Sequence, residues 1–316
     1  MKIVLLESLG IPAELLKSYA DKLEAKGHTF AAYEKNTDAQ VQIDRVQDAD
    51  VIMIANMPLK GEVIRACKNL KFINVAFTGV DHVDLAAAKE MGVKVSNASG
   101  YSTQSVAELA LGMMLSLLRN VPQVEERCRA GKTKDGLVGT ELRGKTVGIV
   151  GAGAIGQNTG RLCKAFGCKV IAYNHRPKQA AEGTIDEFVD LDTLTRESDI
   201  ISLNCPLNDS TRGMFGAERI AMMKKTAILI NVARGPVVDS RALADALNEG
   251  RIAGAGIDVF ETEPPLDVNH PLLHTPNTIV TPHVAFASKE SMALRAQIVF
   301  DSLDSFIAGK QVNVIL

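Results

Sequence analysis

Short apolar runs of four to six residues recur along the chain, separated by stretches in which apolar residues return every three or four positions. The first pattern suits strands buried on both faces and the second suits amphipathic helices. Strands are predicted over 2–6, 29–33, 51–54, 72–75 and 94–96, with a helix over 12–26 and shorter helical stretches between, one pairing Val63 with Cys67. A long helix follows from Ser102 or Thr103, either of which offers a hydroxyl cap. Its stripe is Val106, Leu109, Ala110, Met113, Met114, Leu117 and Leu118. The Gly-rich stretch 131–139 predicts an exposed loop. A second series of strands is predicted over 145–150, 169–173, 200–203, 227–231, 254–258 and 278–281. A last helix starts near Ser288, with Met292, Ala296, Val299, Leu303, Phe306 and Ile307 on one face. The apolar 312–316 segment is expected to return to the first unit. This alternation predicts an α/β chain of two Rossmann-like domains with parallel sheets. One domain is expected to be discontinuous, 1–100 with 285–316, and the other to span 101–284.

Composition narrows the class. A chain of 316 residues with 46% hydrophobic residues has room for two cores. The net charge of −2 and the scattered Lys and Arg argue against a nucleic-acid footprint or a membrane-surface patch. No apolar run approaches the ~20 residues of a membrane span. The apolar start meets Glu7 too soon for a signal-peptide core and reads as a strand. The five cysteines contain no CxxC, which predicts a reducing cytoplasm.

Gly151-Ala152-Gly153-Ala154-Ile155-Gly156 lies between a predicted strand and a helix predicted over 155–166, the setting of a dinucleotide-binding turn. Gly151 permits the turn, Gly153 lets backbone approach pyrophosphate, and Gly156 lets helix pack on strand. The next strand closes at Asn174, followed by His175 and Arg176. An acid there would serve the NAD ribose. Asn removes the charge that repels a 2′-phosphate, and Arg176 offers that phosphate a cation. NADP(H) is therefore expected over NAD(H); the alternative is that Asn174 serves the NAD ribose. Cys205, before Pro206, reads as a wall of the adenine site rather than a reactive thiol.

Arg234, Glu263 and His283 follow in order towards the C-terminal end. Reducing a 2-keto acid needs a hydride on C2 and a proton on the developing alkoxide. A His supplies the proton, a Glu on its other nitrogen fixes the tautomer, and an Arg grips the carboxylate through a planar fork. The hydride needs a nicotinamide cofactor. His270 and His274 stand four apart, but Pro271 and Pro276 exclude the helix that would turn both to a zinc ion; no metal site is expected.

With these residues in view the chain resembles the D-isomer-specific 2-hydroxyacid dehydrogenase family. Further carriers are Ala76–Asp84, Ser105-Val106-Ala107-Glu108, Asn204–Thr211, Asn231–Gly235, Gly256–Glu261 and Pro282-His283. The resemblance implies that 1–100 with 285–316 binds substrate, that 101–284 binds the dinucleotide, and that the active site lies in the interdomain cleft. It gives Arg234 the substrate carboxylate or carbonyl, His283 the acid–base role and Glu263 the pairing with His283. Thr78 and the backbone amides around Gly79 and Val80 would bind substrate, with Met57, Leu59, Phe77 and Phe286 setting pocket volume. Asp258 would meet the nicotinamide carboxamide, and Ala154, Ile155, Thr211, Val232 and Ala233 would line the cofactor. A cytoplasmic homodimer is implied. Asn56–Leu59 and His283–Ser288 look most like glycerate dehydrogenases, also called hydroxypyruvate or glyoxylate reductases, although Phe286 stands where Trp is frequent. Glu263 argues against the formate-dehydrogenase branch, and the length is expected to leave no room for a regulatory domain. Reduction of hydroxypyruvate or glyoxylate to the D-2-hydroxy acid is the expected activity. D-lactate, D-3-phosphoglycerate and a nucleotide-sensing binding protein on the same fold are the alternatives.

Overall fold

The computed structural model describes residues 1–316 apart from Pro177, Lys178, Glu263, Pro264 and Pro265. The chain forms two compact units, Met1–Ser102 with Ala287–Leu316, and Thr103–Phe286.

In the first unit β1 (Lys2–Leu5), β2 (Thr29–Ala32), β3 (Val51–Ile54), β4 (Phe72–Val75) and β5 (Lys94–Asn97) make a parallel sheet ordered β2-β1-β3-β4-β5. β3 and β4 are buried at every position, which is why they read as unbroken apolar runs. Helix Lys289–Ile307 starts on a reciprocal cap: Ser288 Oγ accepts the Ser291 N–H at 3.0 Å, and Ser291 Oγ accepts the Ser288 N–H at 3.0 Å. The helix stacks Phe300 on Tyr19 at 4.1 Å and Phe306 on Phe72 at 4.2 Å between ring centroids. The closing segment does return to this unit. Val314 bridges Ser96, and Ile315 donates its N–H to the Val95 carbonyl at 2.9 Å.

In the second unit β6 (Thr146–Val150), β7 (Lys169–Tyr173), β8 (Glu187–Phe188), β9 (Ile200–Leu203), β10 (Ile228–Asn231), β11 (Gly254–Ile257) and β12 (Thr278–Val280) make a parallel sheet ordered β12-β11-β10-β9-β6-β7-β8. Helix Thr103–Leu118 covers one face, its Val106, Ala110, Met113 and Met114 buried with Val147, Ile149, Ile228 and Ile230. On the other face Leu194, Phe215, Leu243 and Leu247 close over Ile201 and Leu229. Strand order reverses between β6 and β9, so the loops after those strands diverge and leave a crevice at their carboxyl ends. Helix Val121–Arg129, with no buried residue, and the edge strand β8 have no counterpart in the expectations from sequence. Among the described residues no helix is long and apolar enough to cross a membrane.

Candidate active site

The chain leaves β6 and turns at Gly151 with φ +96°. A Cβ there would come within 2.8 Å of the Asn204 carbonyl and the Cys205 nitrogen, so only glycine lets the loop after β6 pass the loop after β9. Gly153 caps helix Ala154–Ala165 with no side-chain hydrogen bond, and nothing lies within 4 Å of the place its Cβ would take. The N–H groups of Ala154, Ile155 and Gly156 in the first turn are thus open to an anion.

Beside this turn lies a cavity of about 570 Å³, whose walls include Gly151, Asn174, His175, Arg176, Cys205 and Thr211. Pro206 lines it too, and Val150, Leu191 and Met214 make its apolar side. Asn174 spans the turn: its Oδ1 accepts the Ala152 N–H at 3.1 Å and its Nδ2 donates to the Arg176 carbonyl at 2.7 Å. Burial pushes the Cys205 thiol up to about 11. Ser210 and Arg219 also line the cavity, and no motif marks them in the sequence. Arg219 is held by the Met214 carbonyl at 3.0 Å from Nε and by Asp192 at 2.8 Å from Nη1. An uncapped helix N-terminus, an apolar wall and a cationic turn fit the adenosine and phosphate parts of a nicotinamide dinucleotide.

Three neighbouring strands carry the remaining candidates, with Asn231 paired to Ile257 and Ile257 to Val280. Past β10 the Asn231 side chain closes a turn, donating to the Arg234 carbonyl at 3.0 Å and accepting the Ala233 N–H at 3.1 Å. Val232 and Ala233 are buried in this turn, Arg234 is half-buried, and its Nη1 donates to the Ala233 carbonyl at 2.8 Å. A Cβ on Gly235 would overlap the Phe260 backbone at 1.9 Å, so the turn after β10 rests directly on the segment after β11.

Asp258, past β11, is wholly buried. Its carboxylate accepts from the Thr281 hydroxyl, the Val284 N–H at 2.9 Å and the Ala285 N–H at 2.9 Å. These bonds hold the loop that carries His283. His283 is half-buried, and Phe286 meets its ring edge-on at 5.4 Å. Glu263 lies outside the described residues. Its neighbour Glu261 meets Nε2 of His270 at 3.0 Å, while His274 Nε2 meets the Val268 carbonyl at 2.7 Å. Among the described residues no three His, Cys, Asp or Glu are grouped to hold a metal ion.

In the first unit Thr78, Gly79 and Val80 are half-buried after β4. Met57 is 0% exposed, Leu59 1% and Phe77 4%. All three are therefore buried, and Phe77 lies against His82 and Tyr101. The loop after β3 hangs on Glu7, a buried carboxylate whose Oε1 accepts the N–H groups of Ala55 and Met57 at 2.9 and 2.7 Å. A lone acid after a first strand carries no motif, and sequence reasoning passed over it.

Residues 111–285 match the family model described as D-isomer specific 2-hydroxyacid dehydrogenase, NAD binding domain. A hydroxypyruvate reductase of Blautia hydrogenotrophica is 38% identical over 304 residues, covering 93% of each chain. A glycerate dehydrogenase of Methylorubrum extorquens is 40% identical over 298 residues, 91% of this chain and 92% of that one. Among solved structures, an acyclic imino acid reductase in complex with NADPH and D-Arg superposes with a TM-score of 0.91 at 30% identity, covering 100% of both chains.

Proposed function

Because the chain belongs to the D-isomer specific 2-hydroxyacid dehydrogenase family and is an oxidoreductase, we propose that it reduces hydroxypyruvate or glyoxylate to the D-2-hydroxy acid, with NADPH preferred over NADH. The observation that carries this reading is the placing of Arg234, Asp258 and His283 just past the ends of three adjacent strands of the dinucleotide-binding unit. Arg234 grips the substrate carboxylate, and its planar fork polarises the neighbouring carbonyl. His283 gives its proton to the alkoxide oxygen. The nicotinamide supplies the hydride.

Two relatives named for hydroxypyruvate and glycerate support the substrate class. Arg176 on the cavity wall supports the phosphorylated cofactor. The same reading makes the protein a cytoplasmic homodimer. Helix Val121–Arg129 supports the dimer, since it buries none of its residues in this chain and leaves Val121 45% exposed. Steady-state rates with hydroxypyruvate, glyoxylate, pyruvate and phenylpyruvate, each with NADPH and NADH, test the proposal. The highest kcat/KM is expected for hydroxypyruvate or glyoxylate with NADPH; no turnover with any pair would remove the reading.

A further inference from the structure

We propose that Asn174 is a positioning residue for cofactor selection: its amide clamps the Asn174–Arg176 turn to the glycine loop and so sets Arg176 against the adenosine 2′ position. This rests on the NADPH reading above.

The clamp uses both ends of one planar amide. Oδ1 takes the N–H of Ala152, inside the glycine loop, at 3.1 Å, and Nδ2 reaches the Arg176 carbonyl at 2.7 Å. One end needs an acceptor and the other a donor, and Asn is the shortest side chain that supplies the two on separate atoms. An Asp would keep the bond to Ala152 but set a carboxylate oxygen against the Arg176 carbonyl oxygen, and the turn would open. An Ala would leave both backbone groups without this partner.

The turn faces the cavity. Asn174, His175 and Arg176 all line it, together with Ser210 and Arg219. Arg219, the other guanidinium on the wall, is committed to Asp192 and to the Met214 carbonyl. That commitment leaves a 2′-phosphate to Arg176 among the described guanidinium groups of the wall. Asn174 therefore contributes more than the absence of a repelling carboxylate. It fixes the backbone from which the phosphate-binding cation springs, and it couples that backbone to the loop that meets the pyrophosphate.

The experiment measures dissociation constants by calorimetry at pH 8 for 2′,5′-ADP and 5′-AMP, which differ by the 2′-phosphate alone. The proteins are wild type, Asn174→Ala, Asn174→Asp, Arg176→Ala and Asn174→Ala/Arg176→Ala, each checked for a native melting transition. Wild type is expected to bind 2′,5′-ADP about tenfold tighter than 5′-AMP or better, the margin of a charge-assisted hydrogen bond. Each single variant should lose most of that margin, and the double variant no more than Arg176→Ala alone. KM for NADPH should rise in parallel while kcat holds. Losses that multiply in the double variant would make Asn174 an independent ligand and overturn the clamp while leaving the NADPH reading intact. A full margin in Asn174→Ala would overturn the clamp in the same way. No margin in wild type would overturn the NADPH reading and the clamp with it.

Discussion

His283 hangs from Asp258: its backbone N–H donates to the Asp258 carbonyl at 2.7 Å, and the Asp258 carboxylate takes the next two N–H groups along the chain, each at 2.9 Å. His283 itself sits at φ +55°, a left-handed conformation that side-chain-bearing residues seldom adopt. A buried carboxylate with three donors is thus what holds the proposed acid in a strained turn. Replacing Asp258 with Ala removes the partner of those donors, and the buried one, the Ala285 N–H, costs about 1–3 kcal/mol when left unpaired in the interior. Asp258→Ala should lower both the melting temperature and kcat. Asp258→Asn should fall between, because its NH2 end faces a donor. Unchanged melting and turnover in Asp258→Ala would remove the brace.

His283 is expected to be the proton donor to the alkoxide. His283→Ala should cut kcat by about 10²–10⁴-fold while the dissociation constant for NADPH stays near wild type. Its half-buried ring contributes little to the core, so folding should survive the change. Near-normal turnover would take His283 out of the mechanism.

The thiols separate by burial. Desolvation pushes Cys67 and Cys205 up to about 11, whereas Cys128 is exposed. At pH 8 a thiol at about 11 is roughly one part in a thousand thiolate, and thiolate is the reactive form. Iodoacetamide at pH 8 should therefore label Cys128 fast and Cys205 slowly, with the Cys205 rate rising about tenfold per pH unit towards 11. Mass spectrometry of the peptides reads this directly. Fast labelling of Cys205 at pH 8, blocked by NADPH, would instead make it a reactive thiol of the cofactor site.

Much of this architecture is visible in the sequence because parallel strands covered on both faces must be apolar throughout. Val51–Ile54 and Phe72–Val75 announce themselves for that reason. Gly151 is legible because two demands coincide there, a positive φ and a backbone contact that excludes Cβ. Helix Val121–Arg129 is not, since it presents no buried stripe, and β8 spans only two residues. Met57 shows a different limit. An apolar residue in a substrate-like motif reads as a pocket wall, yet its side chain fills the core while its N–H holds Glu7. Asp258 and Asn174 carry the same lesson for polar residues. The identity of each is visible, but its hydrogen bonds come in part from segments distant along the chain, Thr281–Ala285 for Asp258 and Ala152 for Asn174.

Arg234 offers the sharpest separation of charge from shape. Its backbone is fixed twice, by the Asn231 side chain on its carbonyl at 3.0 Å and by Gly235 resting on Phe260. The side chain therefore springs from a fixed base, and the proposed grip on the carboxylate uses the plane of its guanidinium. Arg234→Ala should reduce kcat/KM for every 2-keto acid, because all share the carboxylate. Arg234→Lys restores the charge but not the two parallel N–H donors, so it should recover only part of the loss. Asn231→Ala keeps the guanidinium and loosens its base. It should raise KM for the keto acid more than it lowers the affinity for NADPH. Full activity in Arg234→Lys would leave a charge requirement alone and contradict the bidentate grip.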